Sequence, residues 1–202
     1  MEADVIDTLA GIAAGSRLDT VRRSRRPVAR EQAQKSYDSL FRPGDYGGFG
    51  PLERFAVAVF VAGLHGQAGI RNFYAARLRS SAATDATCAA IDAEVTAAKT
   101  KGPYGAYPKG PLSQEDTPGP VHRVADTHRE ALGPRLAAAF EHVHMLVFHP
   151  RDAAPPSLQA MLDAGWSTTD VVTLSQLVAF LSFQIRVVAG LKVLAAKPRG
   201  AA

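Results

Sequence analysis

The chemistry open to this chain rests on a few side chains: six histidines, one cysteine, and an arginine set inside an apolar run. His65 lies in ERFAVAVFVAGLHGQAGIRNFYAARL (Glu53 to Leu78), where a His-Gly pair separates an apolar helical run from an amphipathic one. Imidazole exchanges protons near neutral pH, so His65 is the candidate acid–base group. Its plainer role is a helix-end histidine bonded to a free carbonyl. Arg186 stands in the most apolar stretch of the sequence. A guanidinium buried without acceptors is strongly destabilising. Arg186 is therefore expected either to pair with Glu53, Glu141 or a neighbouring subunit's acid, or to anchor a substrate carboxylate with its planar fork. Gln176 and Gln184 on the same helix extend that polar patch.

His142, His144 and His149 invite a metal reading, but their spacing argues against it. On a helix His142 and His144 point about 200° apart, and His142 and His149 are two turns apart. No metal site is expected, and His144 is placed at the pocket or at a subunit interface. Cys88, in DATCAAID, reads as a packed core thiol with Asp85 and Asp92 nearby rather than activating cations. A single cysteine forms neither an internal disulfide nor a multi-cysteine metal site.

The elements that hold these residues read as helices throughout. Val5, Ile6 and Leu9 make a short turn stopped near Gly11 and Gly15; Ser16 caps a second helix; Pro27 opens a third that runs to Phe41. RPGDYGGFGP (Arg42 to Pro51) is a loop. FAVAVFV (55–61) alternates small and branched residues as a buried strand would. Pro51 at a first helical position, Glu53 near the positive dipole end and the continued run to Leu64 decide for helix. Thr84 or Thr87 caps the next helix. Lys99 to Pro120 is rich in Gly and Pro, and reads as an arm or lid packed by Tyr104 and Tyr107, or as plain disorder. A helical pattern follows from Val124 to Phe148 with an interruption at Gly133-Pro134, then a short helix from Pro155-Pro156 to Gly165. Ser167 and Asp170 open a helix over 168–195 that is apolar in every direction, which predicts a central or interface helix. Phe180, Phe183 and Val187 are its expected contact residues.

The segment from Glu53 to Leu78 resembles the core motif of the carboxymuconolactone decarboxylase and alkylhydroperoxidase D-like superfamily. That motif is a glutamate, eleven residues, Cys-x-x-Cys, three residues and a histidine, usually with Asn-Gly before the first cysteine. Aligned without a gap, His65 meets the asparagine and Gly66 the glycine. Gln67 and Ile70 fall on the cysteines, Tyr74 on the histidine and Phe55 on the glutamate. A second patch, AGWSTTDVVTLSQLVAFLSFQIRVVAGL (Ala164 to Leu191), is similar to the C-terminal helix of the peroxidase-related branch. There Arg186 meets a family arginine, Gly190-Leu191 a Gly-Leu pair, and Ile185 replaces an asparagine.

The resemblance implies an all-α, alkylhydroperoxidase D-like helical bundle in a symmetric homo-oligomer, with an N-terminal helical extension over 1–50 and the family domain over 51–202. It also implies loss of the thiol chemistry, which needs a dipole-stabilised thiolate and a second sulfur. Within that frame Gln67 sits at a helix N-terminus whose backbone N–H favours an anion, Tyr74 donates from the pocket wall, and His65 and Arg186 complete the site.

Three functions stay open. The first is a redox-inactive protein that binds, or performs acid–base chemistry on, a small organic acid or lactone, with precedent in the decarboxylase branch. The second is a non-catalytic oligomeric partner protein, and the third is a peroxidase acting through Cys88. The formal charge of +4 is too mild, and its basic residues too scattered, for a nucleic-acid motif. The cluster Arg22, Arg23, Arg25, Arg26 and Arg30 is read as a solvated helix end or an oligomer contact. The N-terminus MEADVIDTLAG carries no secretory pattern, and no uninterrupted apolar run reaches the ~18 residues of a membrane span. A cytoplasmic protein without cofactor, nucleic-acid or membrane partner is the expectation.

Overall fold

The computed structural model describes residues 4–196, and its helices start and stop at residues whose chemistry favours those ends. Asp4 caps α1 (Val5–Ala10) and Gly11 closes it in the left-handed conformation; Ser16 caps α2 (Arg17–Arg25). Proline opens α3 (Pro27–Phe41) and α4 (Pro51–Leu64). Gly66, at φ 67°, turns the chain from α4 into α5 (Ala68–Arg79). Thr84 caps α6 (Asp85–Ala97). α7 (Asp126–Phe148) is two helices joined across Gly133, whose φ of 74° and ψ of 163° are not helical. α8 (Pro155–Asp163) and α9 (Thr168–Ala196) complete the chain. Among the described residues there is no strand, only a single bridge between Gly105 and Thr117. The protein is all-α.

α4 is the centre. Every residue from Ala56 to Leu64 is buried, and α5, α6, α7 and α9 all pack on it. Its alternation of small and large residues, read above as strand-like, serves this role: Ala56, Ala58, Ala62 and Gly63 let neighbours approach, while Phe60 stacks on Phe140 of α7 at 4.2 Å. A Cβ at Gly63 would lie 2.5 Å from Val95 Cγ1 of α6. Gly63→Ala is therefore expected to cost about 1–3 kcal/mol by overpacking, although alanine is intrinsically the better helix former by ~1 kcal/mol. Adding Val95→Ala should recover part of the loss. Urea unfolding of the single and double variants checks this, and a Gly63→Ala protein as stable as the parent would show that α6 yields freely.

Two sequence expectations are corrected here. Of the two roles expected for α9, central or interface, the structure excludes the first: one side packs on α4, α1, α3, α7 and α8, while Val172, Phe183, Val193 and Leu194 remain 47–62% exposed. Of its expected contact residues, Phe180 points into the core of its own subunit, Val187 is half-buried and Phe183 is exposed. Among the described residues the buried arginine is Arg54 rather than Arg186. Arg54 is 5% exposed, and its guanidinium donates to the carbonyls of Phe49 (2.6 Å), Leu40 (2.5 Å) and Tyr46 (3.2 Å), which pins the 42–50 loop. Three backbone acceptors replace the acid that such a group would otherwise need.

Residues before Pro51 share this core, to which they contribute Val5, Ile6, Tyr37, Phe41 and Phe49. The arginine cluster is partly absorbed in the same region. Arg30 pairs with Asp7 at 3.0 Å, and Arg22 also pairs with Asp7, so α2 and α3 are tied to α1. The arm between α6 and α7 packs through Tyr104. Its ring stacks on His149 at 4.9 Å, its hydroxyl donates to the Pro120 carbonyl at 2.6 Å, and its backbone N–H donates to the Phe148 carbonyl. Tyr107 is half-buried beneath Arg151.

Candidate functional site

A cleft of about 510 Å³ opens where three segments meet. Gly102 and Pro103 of the arm form one wall, and Leu146, Phe148 and Pro150 at the end of α7 form another. The floor is a strip of α9 running from Ser175 through Ala179 and Ser182 to Arg186. His65 enters from the α4–α5 corner, where it ends α4 and its backbone N–H bonds the Val61 carbonyl at 3.1 Å. The corner aims its ring at α9, and Nε2 stands 3.3 Å from Ser182 Oγ. The walls are mostly apolar, and the polar groups are the imidazole, two serine hydroxyls and the guanidinium.

Burial holds His65 below the usual histidine range, and the charge of Arg186 adds to this. His65 is thus neutral at pH 7, the form that accepts a proton. Arg186 is exposed, and its Nη1 donates to the Ser182 carbonyl at 2.9 Å. Among the described residues it has no acid partner. The two acids expected for it are engaged elsewhere: Glu53 binds Arg135 at 3.0 Å, and Glu141 binds Arg123 and Arg129 at 2.6 Å each. Arg186 escapes burial because it lies on the side of α9 that no other helix covers. A neutral base beside an uncompensated cation in an apolar cleft can bind a carboxylate and move a proton on the same molecule.

The other expected site residues lie elsewhere. Tyr74 of α5 is fully buried, stacks on Phe41 of α3 at 5.1 Å and donates to Gln184 Oε1 of α9 at 2.7 Å. Its phenol, pushed far up by burial, is a core hydrogen bond rather than a pocket wall. Gln67 precedes α5, but its backbone N–H already donates to the Ala62 carbonyl at 3.0 Å and is not open to an anion. His144 is 1% exposed and sits behind the cleft wall against Phe148. Cys88 is half-buried at a smaller cleft of about 280 Å³ beside Arg71 and Asp92, which bond each other. It packs against the edge of the hydrophobic core without being enclosed by it.

Behind the cleft lies a polar cluster whose main members the sequence does not single out. Glu94 of α6 is 1% exposed. It accepts from the Ala125 N–H at 3.0 Å, stands 2.5 Å from His128 Nδ1 and faces His122 Nε2 at 2.9 Å. His122 leans on His144 (ring centres 5.2 Å apart), and His144 on His149 (5.6 Å). Burial drives His144 down to about 4, with His122 and His149 adding to the effect. These groups knit the arm and α7 onto α6. Among the described residues no set of three or more His, Cys, Asp or Glu is arranged to hold a metal ion. Glu94 and His122 went unnoticed because one looks like an ordinary position on an amphipathic helix and the other lies in an aperiodic segment. Ser182 carried a faint signal, a hydroxyl four residues before Arg186 on an apolar helix.

No family model matches the chain, and neither a curated protein nor a solved structure is significantly similar to it. The class that fold and cleft define is thus an all-helical protein with an arginine–histidine cleft.

Proposed function

We propose that the His65 cleft binds a small organic acid or lactone and that the chain performs acid–base chemistry on it. In this reading the chain is a divergent, thiol-less relative of the carboxymuconolactone decarboxylase and alkylhydroperoxidase D-like proteins. The observation that carries the reading is the pairing, in one largely apolar cleft, of a neutral imidazole with an arginine that has no acid partner among the described residues. Arg186 holds the carboxylate through its fork, His65 takes or returns the proton, and the Ser182 hydroxyl orients the ring. The family link is supported by the His65-Gly66 break between α4 and α5, with Gln67 and Ile70 at the thiol positions. Homo-oligomeric assembly and a cytoplasmic setting belong to the same reading. A second reading, a non-catalytic oligomeric partner protein, draws on the exposed apolar face of α9. A peroxidase acting through Cys88 lacks a second cysteine in this sequence to resolve the oxidised thiol.

The test follows the His65 ring by NMR. A carboxylate bound beside it stabilises the imidazolium, so millimolar mono- and dicarboxylates are expected to move the His65 titration upward. Arg186→Ala should also raise it, by removing the nearby cation, and should abolish the response to ligand. A panel of small carboxylates and lactones that leaves the His65 resonances untouched would overturn the proposal.

A further inference from the structure

The uncovered face of α9 has a pattern of its own. Along it Val172, Gln176, Ala179 and Phe183, then Arg186, Gly190 and Val193 are exposed, separated alternately by four residues and three, and from Lys192 to Ala196 every residue is exposed. That alternation is the heptad seam along which two helices pack, and it spans roughly 31 Å of helix. We propose that a second copy of this chain docks antiparallel on this face and places its Arg186 in the His65 cleft of the first.

Side-chain sizes select the antiparallel pairing. A two-fold axis passing close to Phe183 sets Phe183 against its own mate. It then sets Val172 against Val193, Gln176 against Gly190, and Ala179 against Arg186, each within one residue of ideal register. Long side chains thereby meet short ones, as a self-complementary interface requires. A parallel pair would oppose Ala179 to Ala179 and Gly190 to Gly190, leaving voids, and would oppose Arg186 to Arg186, leaving like charges in contact. Gly190 fits a receiving role because a Cβ there meets no atom of its own subunit within 4 Å. A seam of this length and one helix wide presents about 400 Å² of footprint on each copy. Interlocked side chains bury more than their footprint, which brings the pair near the ~1,000 Å² total that a specific interface requires.

The consequence for the site follows from shared residues. Ala179 and Arg186 belong both to the seam and to the cleft floor. The antiparallel two-fold keeps both clefts on the same side of the seam, so the Arg186 facing Ala179 arrives from the other copy and joins the Arg186 that each cleft already has. α9 is also long and apolar enough to cross a membrane by composition, with a mean hydropathy of 1.8 over its best window. Its second side, however, is committed to α4 and α1, and the open seam carries Gln176 and Arg186.

Two experiments test this. In a Cys88→Ser background, Val172→Cys and Val193→Cys proteins are prepared separately and oxidised. Cross-linking is expected only when the two are mixed, and Gly190→Gln in both should suppress it without loss of thermal stability. Val172→Cys linking to itself, a monomer at ~100 μM by sedimentation (a concentration at which a micromolar interface is saturated), or partition of the parent protein into phosphatidylcholine vesicles would each overturn the proposal. The arrival of Arg186 in trans rests on the cleft reading above and has its own readout. Arg186→Ala protein, whose His65 ignores carboxylates, should regain its response when His65→Ala protein is added. Cross-linking without that rescue overturns the shared site, and a parent protein that never responds to carboxylates overturns the cleft reading while the pairing stands.

Discussion

Replacing Glu94 by alanine is expected to lower stability by about 2–4 kcal/mol, because a polar group left unpaired away from water costs about 1–3 kcal/mol and the two groups that Glu94 bonds are only partly buried. The Ala125 N–H and the His128 ring lose the oxygen they bond, and the buried His122 ring loses the carboxylate it faces at 2.9 Å. All three belong to the arm or to the start of α7, so the loss should appear first as loosening of residues 99–128. For a chain of this size, ~1 kcal/mol corresponds to about 2–4 °C, which puts the expected fall in Tm at roughly 10 °C. Glu94→Gln retains a carbonyl acceptor for the Ala125 N–H and should fall between the two. Thermal and urea unfolding give the magnitude, and hydrogen exchange in the arm gives the location. A Glu94→Ala protein within ~1 kcal/mol of the parent would mean that water replaces the carboxyl group without loss.

The second large effect is on acid stability. His144 titrates near 4 in the folded protein, against 6.5 for a free histidine, because burial and the neighbouring His122 and His149 disfavour its charge. His122 and His142 are depressed in the same direction, each chiefly by burial. Between those two values the unfolded chain binds a proton that the folded one refuses. The full contribution is therefore present above about pH 6.5 and is lost progressively as pH falls towards 4. For His144 alone the gap corresponds to roughly 3 kcal/mol. His144→Leu removes the titrating ring and should flatten much of the decline between pH 6.5 and 4, whatever it does to stability at pH 7. Urea unfolding at several pH values decides the matter. Parallel pH profiles for the two proteins would show that protonation at this position does not drive acid unfolding.

The split behaviour of the site residues shows how far the chain could be read in advance. His65 was identified because a His-Gly pair ending an apolar run is a local signal, and the structure does set that histidine at a corner facing a cleft. Arg186 stands out in the sequence as a charge that burial would force to pair, yet the structure leaves it exposed. An all-round apolar helix looks the same in sequence whether one face or every face is covered. Tyr74 illustrates a register problem. Seven residues separate it from Gln67 on one helix, yet a small rotation of α5 turns its ring into the core and onto Gln184. Ser182 and Glu94 are silent in the sequence because each meets side chains 28 or more residues away.

What this sequence determined by itself is where helices begin and end. Asp4, Ser16 and Thr84 bond the backbone of their own first turn, Pro27 and Pro51 preset their own φ, and Gly11 and Gly66 admit a left-handed turn that side chains resist. Each effect reaches only a few residues along the chain, so the all-α character was legible without a structure. Only the tertiary structure decided that α4 rather than α9 is central, that Arg54 rather than Arg186 is the buried cation, and that Glu94 gathers His122 and His128. Those outcomes depend on which of several similar apolar faces pack together. That choice is made by shape and volume among residues distant in the chain: Gly63 against Val95, Phe60 against Phe140, three carbonyls converging on one guanidinium. No local pattern encodes such a match.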